Sequence, residues 1–515
     1  MKTLMFAAAF GVTLAGGSAA RAAAPSEACD TATVQAMAPA GATVAFAARE
    51  AGSCRVNGYV TTQNPGPNKV LFVLMLPDRF NGRYLYLGVG GGGGFLPVVS
   101  PALLRKGYAV AGSDGGSGST NIADFSFNSD PARRLDFAWR AVHVSAGATQ
   151  QITRAYYKRG ELHRYISGCS GGGHMGLTNA FKFGREDFDG VIAGSASLPD
   201  SAYGQNAALI AQYLQLHPDG WISPELRQKA DAAILARYDE LDGARDGIVS
   251  DERSIGEFDV GILKQVGFTP AQIATFNFIR AEHRFAGPGV RSGLSHPGYA
   301  VANLSSWAFL LGSSPPPWPS TADAAASDLM GKGAPFLHVM TDSMMRAKHP
   351  ELYYVQVANP SELARLTLEG GEPGPDDFGT AAASGVKVIL YHGVYDGTAS
   401  YRETMQSYQR VAARHPGADA WLRYFPVAGL GHCSGGPGPT DVEGPLLDAL
   451  AEWVEQGKAP ETVVAPRQSA DKGVERTFRL CAEPMRVALK VAGADPGVAE
   501  NWVCRAPANG AKAGG

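Results

Sequence analysis

Ser170 stands in Gly168-Cys169-Ser170-Gly171-Gly172, a G-x-S-x-G pattern. The pattern puts a serine on a strained turn between a strand and a helix, where larger flanking side chains would meet backbone. The chain contains 64 glycines, so the match alone is weak. Its context gives it weight: a strand is predicted over His163–Ser167 and a helix over His174–Phe183. A serine hydroxyl is a poor nucleophile until an imidazole takes its proton and a carboxylate orients that imidazole. In this setting the acid and then the histidine follow the serine along the chain. Asp396, in His392-Gly393-Val394-Tyr395-Asp396, and His432, in Gly429-Leu430-Gly431-His432-Cys433, satisfy that order. Each lies just beyond a predicted strand, on the edge where open α/β sheets place their sites. His392 is the main rival among 11 histidines, but it precedes the acid and is expected to pack at a strand end. Asp114 and Asp189 are the rival carboxylates; both fall on the wrong side for the order and read as turn or capping residues.

The six cysteines bear on the same two loops. An even count without a CxxC pair suits disulfides in an oxidising compartment. Proximity along the chain suggests Cys29–Cys54 and Cys481–Cys504, which leaves Cys169 with Cys433. Cys169 immediately precedes Ser170 and Cys433 immediately follows His432. A serine and histidine in hydrogen-bond reach bring their neighbours into the roughly 4.4–6.8 Å Cα window of a disulfide. An oxyanion hole needs two backbone N–H groups aimed at the developing charge. Gly171 is expected to give one, and Gly91 or Gly92, in the run Gly90–Gly94, the other.

The elements around these residues fix the fold class. Apolar runs at Val70–Leu76 and Tyr84–Val89, separated by Pro77-Asp78 and Asn81-Gly82, read as neighbouring strands. Tyr108–Gly112 adds a short strand, and Phe137–Tyr157 has helical spacing, with Trp139, Val142, Ala146 and Ile152 on one side. From about 199 to 375 the texture changes to scattered helices and proline-rich loops such as Ser314–Pro319. Strand and helix patterns resume with Val386–Tyr391, Tyr401–Arg414 and Leu422–Val427. Alternating strands and helices predict an α/β fold with a mainly parallel sheet. The expected layout is an α/β-hydrolase catalytic domain over 25–198 and 376–515, interrupted by a lid over 199–375.

The 515 residues, 45% hydrophobic and 18% charged, supply a large core. A net charge of −3 offers no basic field for nucleic acid or an anionic membrane. Met1-Lys2, an apolar run from Leu4 to Leu14 and small residues from Gly16 to Ala24 predict a secretory signal peptide over 1–24. The run is too short to span a bilayer. The protein is therefore expected to be secreted or periplasmic, without a membrane or nucleic-acid partner; the sequence leaves the oligomeric state open.

Cys169-Ser170, Asp396 and His432-Cys433 together resemble the signature of the tannase/feruloyl esterase family, which includes a terephthalate monoester hydrolase. The similarity extends through Leu76-Pro77, Asn81-Gly82-Arg83, Gly90–Gly94, Phe188-Asp189-Gly190 and the closing cysteine pair. The resemblance implies a serine esterase acting on aromatic carboxylic esters: feruloyl, galloyl or a related aryl ester. A serine peptidase or lipase on the same scaffold, and an inactive calcium-stabilised binding protein, are the alternatives.

Asp239-Glu240-Leu241-Asp242-Gly243-Ala244-Arg245-Asp246-Gly247-Ile248 spaces three carboxylates around glycines. By spacing alone this is a calcium loop or a solvated acidic turn. The family carries a structural Ca2+ at such a lid loop. The resemblance thus implies side-chain ligands from Asp239, Asp242 and Asp246, with carbonyls from Ala244 and Ile248. Family members usually have a cysteine just before the first of these aspartates; here it is Tyr238, and the staple is lost. Trp221, Trp307, Trp318 and Phe309 are conceivable pocket walls that read more readily as core.

Overall fold

The computed structural model describes residues 28–196, 202–285, 294–348 and 378–507. The expected signal peptide and the limits near 199 and 375 lie outside these residues.

Nine strands form one sheet: β1 (Ala42–Glu50), β2 (Ser53–Thr62), β3 (Asn68–Pro77), β4 (Arg83–Leu87), β5 (Ala109–Ser113), β6 (His163–Cys169), β7 (Gly190–Gly194), β8 (Lys387–Gly393) and β9 (Leu422–Val427). Their order is β1-β2-β3-β5-β4-β6-β7-β8-β9. The pairs β1/β2, β2/β3 and β3/β5 are antiparallel; the others are parallel. β3 and β4, expected to be neighbours, are therefore separated by β5. The turn signals at Pro77-Asp78 and Asn81-Gly82 separate the strands without specifying their pairing, and β4 starts the parallel run.

β7 and β8 are buried along nearly their whole length, as strands covered on both faces must be. Helices α1 (Ala141–Tyr156), α2 (Gly171–Phe183), α3 (Tyr203–Leu216), α4 (Pro224–Tyr238), α5 (Phe336–Lys348), α6 (Tyr401–Arg414) and α7 (Glu443–Gln456) are the longer ones used below. The helix predicted from Phe137 starts with a π-turn over Asp136–Arg140, and α1 follows. Val142, Ala146 and Ile152 are buried, and Trp139, half-buried, meets the Phe183 ring at 5.8 Å.

The segment between the paired strands β7 and β8 holds α3, α4, α5 and only two two-residue strands among its described residues. After α7, two hairpins close the chain: β10 (Thr462–Ser469) with β11 (Gly473–Cys481), and β12 (Arg486–Leu489) with β13 (Trp502–Arg505). No helix among the described residues is long and apolar enough to cross a membrane.

Candidate active site

β6 delivers Ser170 into the turn before α2. Its backbone has φ 59° and ψ −125°, a left-handed strain that only a well-braced turn holds. The Ser170 amide donates to the Gly194 carbonyl at 2.8 Å, tying the turn to β7. The flanking glycines are required by close approach. A Cβ at Gly168 would stand 2.5 Å from the Gly172 carbonyl carbon, and one at Gly172 2.7 Å from that of Gly88.

Asp396 follows β8 and His432 follows β9, so all three residues sit at the carboxyl edge of the parallel strands. His432 Nδ1 lies 2.7 Å from Asp396 Oδ2, and the carboxyl is fully buried. The amides of Thr398 and Ala399 donate to Asp396 Oδ1 at 2.8 and 3.0 Å. Burial alone would push this carboxyl up, but the His432 charge and hydrogen bonds from His392 and His432 hold it well below the usual carboxylate range.

Cys169 is bonded to Cys433, with Cα atoms 5.8 Å apart, and Cys29–Cys54 and Cys481–Cys504 are the other bridges. The first bond fixes the His432 loop to the Ser170 turn.

Gly171 opens α2, where first-turn amides have no helical partner. A Cβ there would sit 2.8 Å from the Gly91 carbonyl oxygen, so Gly91 adjoins the turn. Gly92 spends its amide on the Ile122 carbonyl at 2.9 Å and has no proton to offer an oxyanion. Of the two glycines, Gly91 is the one left.

The rival carboxylates are accounted for. Asp114 accepts from the amides of Leu71 and Gly116, and Asp189 pairs with Arg164 and Arg185. His392, expected only to pack, also contacts Asp396; its fourth-residue spacing from that acid was the available signal. Trp307 and Trp318 are core residues. Phe309 is different: it is 36% exposed, and its ring meets that of His432 edge-on at 5.9 Å.

On the acidic loop, Asp239 accepts from the amides of Gly247 and Ile248, both at 3.1 Å, and Asp246 pairs with Arg476. Asp242 Oδ2 is buried without a hydrogen-bond partner. Burial, reinforced by Asp246 and Asp239, pushes the Asp242 carboxyl up to about 6. Asp242 Oδ1 accepts from the Ala244 amide at 3.0 Å, so Oδ2 is the oxygen of this carboxylate left for a hard cation. Among the described residues, only His143, Glu186 and Asp187 bring ligand-type atoms within 4.8 Å of one another, so the loop carboxylates stand wider apart than that. The Tyr238 hydroxyl accepts from the Asp259 amide at 2.9 Å. Nearby, a small cleft lined by Asp246, Asp251, Arg253, Arg476, Glu483 and Arg486 contains none of the three active-site residues.

A mostly parallel sheet bearing a strained serine turn, with an acid and a histidine beyond later strands, defines an α/β hydrolase. A family model described as tannase and feruloyl esterase matches residues 54–261 and 371–504. The chain belongs to the tannase and feruloyl esterase family, and it is a carboxylic ester hydrolase. A probable feruloyl esterase B-2 of Aspergillus flavus is 29% identical over 455 residues, covering 81% of this chain and 80% of that protein. The crystal structure of feruloyl esterase B from Aspergillus oryzae superposes with a TM-score of 0.75 at 22% identity, covering 92% of this chain and all of that one. Tannin acyl hydrolase from Aspergillus niger gives 0.71 at 20% identity, covering 95% of this chain and 97% of that one.

Proposed function

We propose that this chain is an exported serine esterase that hydrolyses aromatic carboxylic esters, feruloyl, galloyl or a related aryl ester, through an acyl-enzyme. Ser170 Oγ attacks the ester carbonyl while His432 takes its proton, and Asp396 holds the imidazole and offsets the charge it gains. The amides of Gly171 and Gly91 stabilise the oxyanion. His432 then protonates the leaving alcohol, activates water, and the acid departs. The carrying observation is the Asp396–His432 pair bonded, through Cys433–Cys169, to the residue beside Ser170.

Export is supported by the leader-like N-terminus and by three disulfides. A calcium ion held by Asp239, Asp242 and Asp246 with the carbonyls of Ala244 and Ile248 would brace the lid, remote from the chemistry.

Hydrolysis rates on methyl ferulate, methyl gallate, monohydroxyethyl terephthalate and the matching anilides test the reading, together with fluorophosphonate labelling of Ser170. Esters turned over, anilides spared and one label per chain are expected. Faster cleavage of the anilides, or label elsewhere than Ser170, would overturn it.

A further inference from the structure

His392 closes β8 and is fully buried. Its Nε2 lies 3.0 Å from Asp396 Oδ2, the oxygen that His432 Nδ1 approaches at 2.7 Å. One carboxylate oxygen thus serves two imidazoles. The protons can be counted. An ionised carboxylate only accepts, so each imidazole donates to it. The second neighbour of His392 Nε2 is the Ala399 carbonyl at 3.1 Å, also an acceptor, so Nε2 carries a proton in every state of the ring. On the far side, Nδ1 meets Thr404 Oγ1 at 2.9 Å. The single proton of that hydroxyl also faces the Ala196 carbonyl at 3.0 Å, so Thr404 holds Nδ1 as donor or as acceptor according to where the proton lies, and in either case ties the ring to α6.

With the amides of Thr398 and Ala399 on Oδ1, Asp396 therefore has four donors around two oxygens. A buried carboxylate with a lone pair left open turns toward whatever donor it can reach. With His392 in place it cannot turn without losing that bond.

We propose that His392 is a positioning residue for ester hydrolysis, fixing Asp396 Oδ2 on His432 and keeping the acid anionic while the His432 imidazolium forms. The proposal rests on the Ser170–His432–Asp396 reading above. The other titratable groups felt by Asp396 are the phenols of Tyr203, Tyr299, Tyr391 and Tyr424, and the Glu403 carboxyl acts on Tyr203 and Tyr299. Burial holds all four phenols protonated.

The test compares His392→Phe, which keeps a ring and loses the donor, with His392→Gln, whose Nε2–H falls near the imidazole Nε2. On p-nitrophenyl acetate, His392→Phe should lose roughly 10- to 100-fold in kcat with little change in KM. The acidic limb of its kcat/KM profile should move up in pH, because a carboxylate relieved of one donor holds its remaining imidazolium proton more tightly. His392→Gln should recover most of kcat and the wild-type limb. A folded His392→Phe with both unchanged, or two variants equally impaired, would reduce His392 to core packing. Should His392→Phe not fold, Thr404→Val, which unpins the ring, must displace the same limb; an unmoved limb overturns the proposal. Ser170→Ala is the separate control: retained activity there would sink the triad reading, whatever the His392 variants do.

Discussion

Cys169 and Cys433 are bonded across 264 residues of sequence, one residue from Ser170 on one side and one from His432 on the other. The bridge therefore joins the β6 and β9 loops where the chemistry needs them, and it closes the longest loop of the three. Replacing both cysteines by serine should lower stability by about 3–5 kcal/mol, the scale expected for closing so long a loop. Loosened geometry should cut kcat by roughly 100-fold. Denaturant melts and steady-state kinetics check both, and a double variant with native kcat would show that the loops are held by other contacts.

The Asp396 carboxyl, depressed by its two imidazoles against the pull of burial, stays ionised throughout the range in which an imidazole titrates. The acidic limb of kcat/KM should then report a single group, the base. Asp396→Asn should lose roughly 10⁴-fold in kcat. Because a depressed carboxyl stabilises the fold above its unfolded pKa near 4 and ceases to do so as pH falls through its folded value, acid unfolding of Asp396→Asn should be less steep. Two protons on the acidic limb of the wild-type profile would contradict this.

Much of this site could be read from the chain because its determinants are local. The glycines around Ser170, the strand before it and the order serine, acid, histidine are matters of spacing, and α6 and β9 span the residues that apolar pattern alone predicted. Strand order was not legible, since β5 enters between β3 and β4 by pairings that no local turn signal specifies. β1 and β2, and the four strands after α7, lack a clean alternation: bulges break it between Val44 and Phe46 in β1 and between Arg467 and Gln468 in β10, and β12 and β13 are only four residues long. The roles of His392 and Phe309 depend on contacts made only after the sheet and the inserted helices assemble.

The acidic loop predicts a metal effect on stability rather than on chemistry. Asp242 keeps one oxygen buried and unpartnered beside two further carboxylates, a repulsion that a bound cation would relieve. Excess chelator should lower the melting temperature, and added calcium should restore it while kcat at low temperature stays nearly constant. Superimposable melts with and without chelator, from protein that elemental analysis finds free of metal, would count against the site.

Asp114 offers an independent pH test. Burial pushes its carboxyl up to about 6, although the amides of Gly116 and Leu71 pull the other way. A carboxyl raised in the folded state binds its proton more tightly there than in the unfolded chain. Its contribution is thus fully favourable below about pH 4 and is lost as pH rises through about 6. Asp114→Asn keeps an acceptor for both amides and removes the charge. It should be at least as stable as the parent at pH 7, with its advantage shrinking toward pH 4; a variant markedly less stable at pH 7 would mean that the charge is needed.

Phe309 is where the inserted segment reaches the base. Its ring is 36% exposed, stands edge-on to His432 at 5.9 Å and meets Phe336 at 6.0 Å in the same orientation. An aryl acyl group on Ser170 would lie beside the same imidazole and within reach of this exposed ring. An aromatic contact of this type is worth about 0.5–1.5 kcal/mol, so Phe309→Ala should raise KM for methyl ferulate by roughly 2- to 10-fold. With p-nitrophenyl acetate, whose acyl group carries no ring, the change should be small. Equal losses on both esters would instead assign Phe309 to holding His432 in place, and kcat rather than KM would then carry the defect.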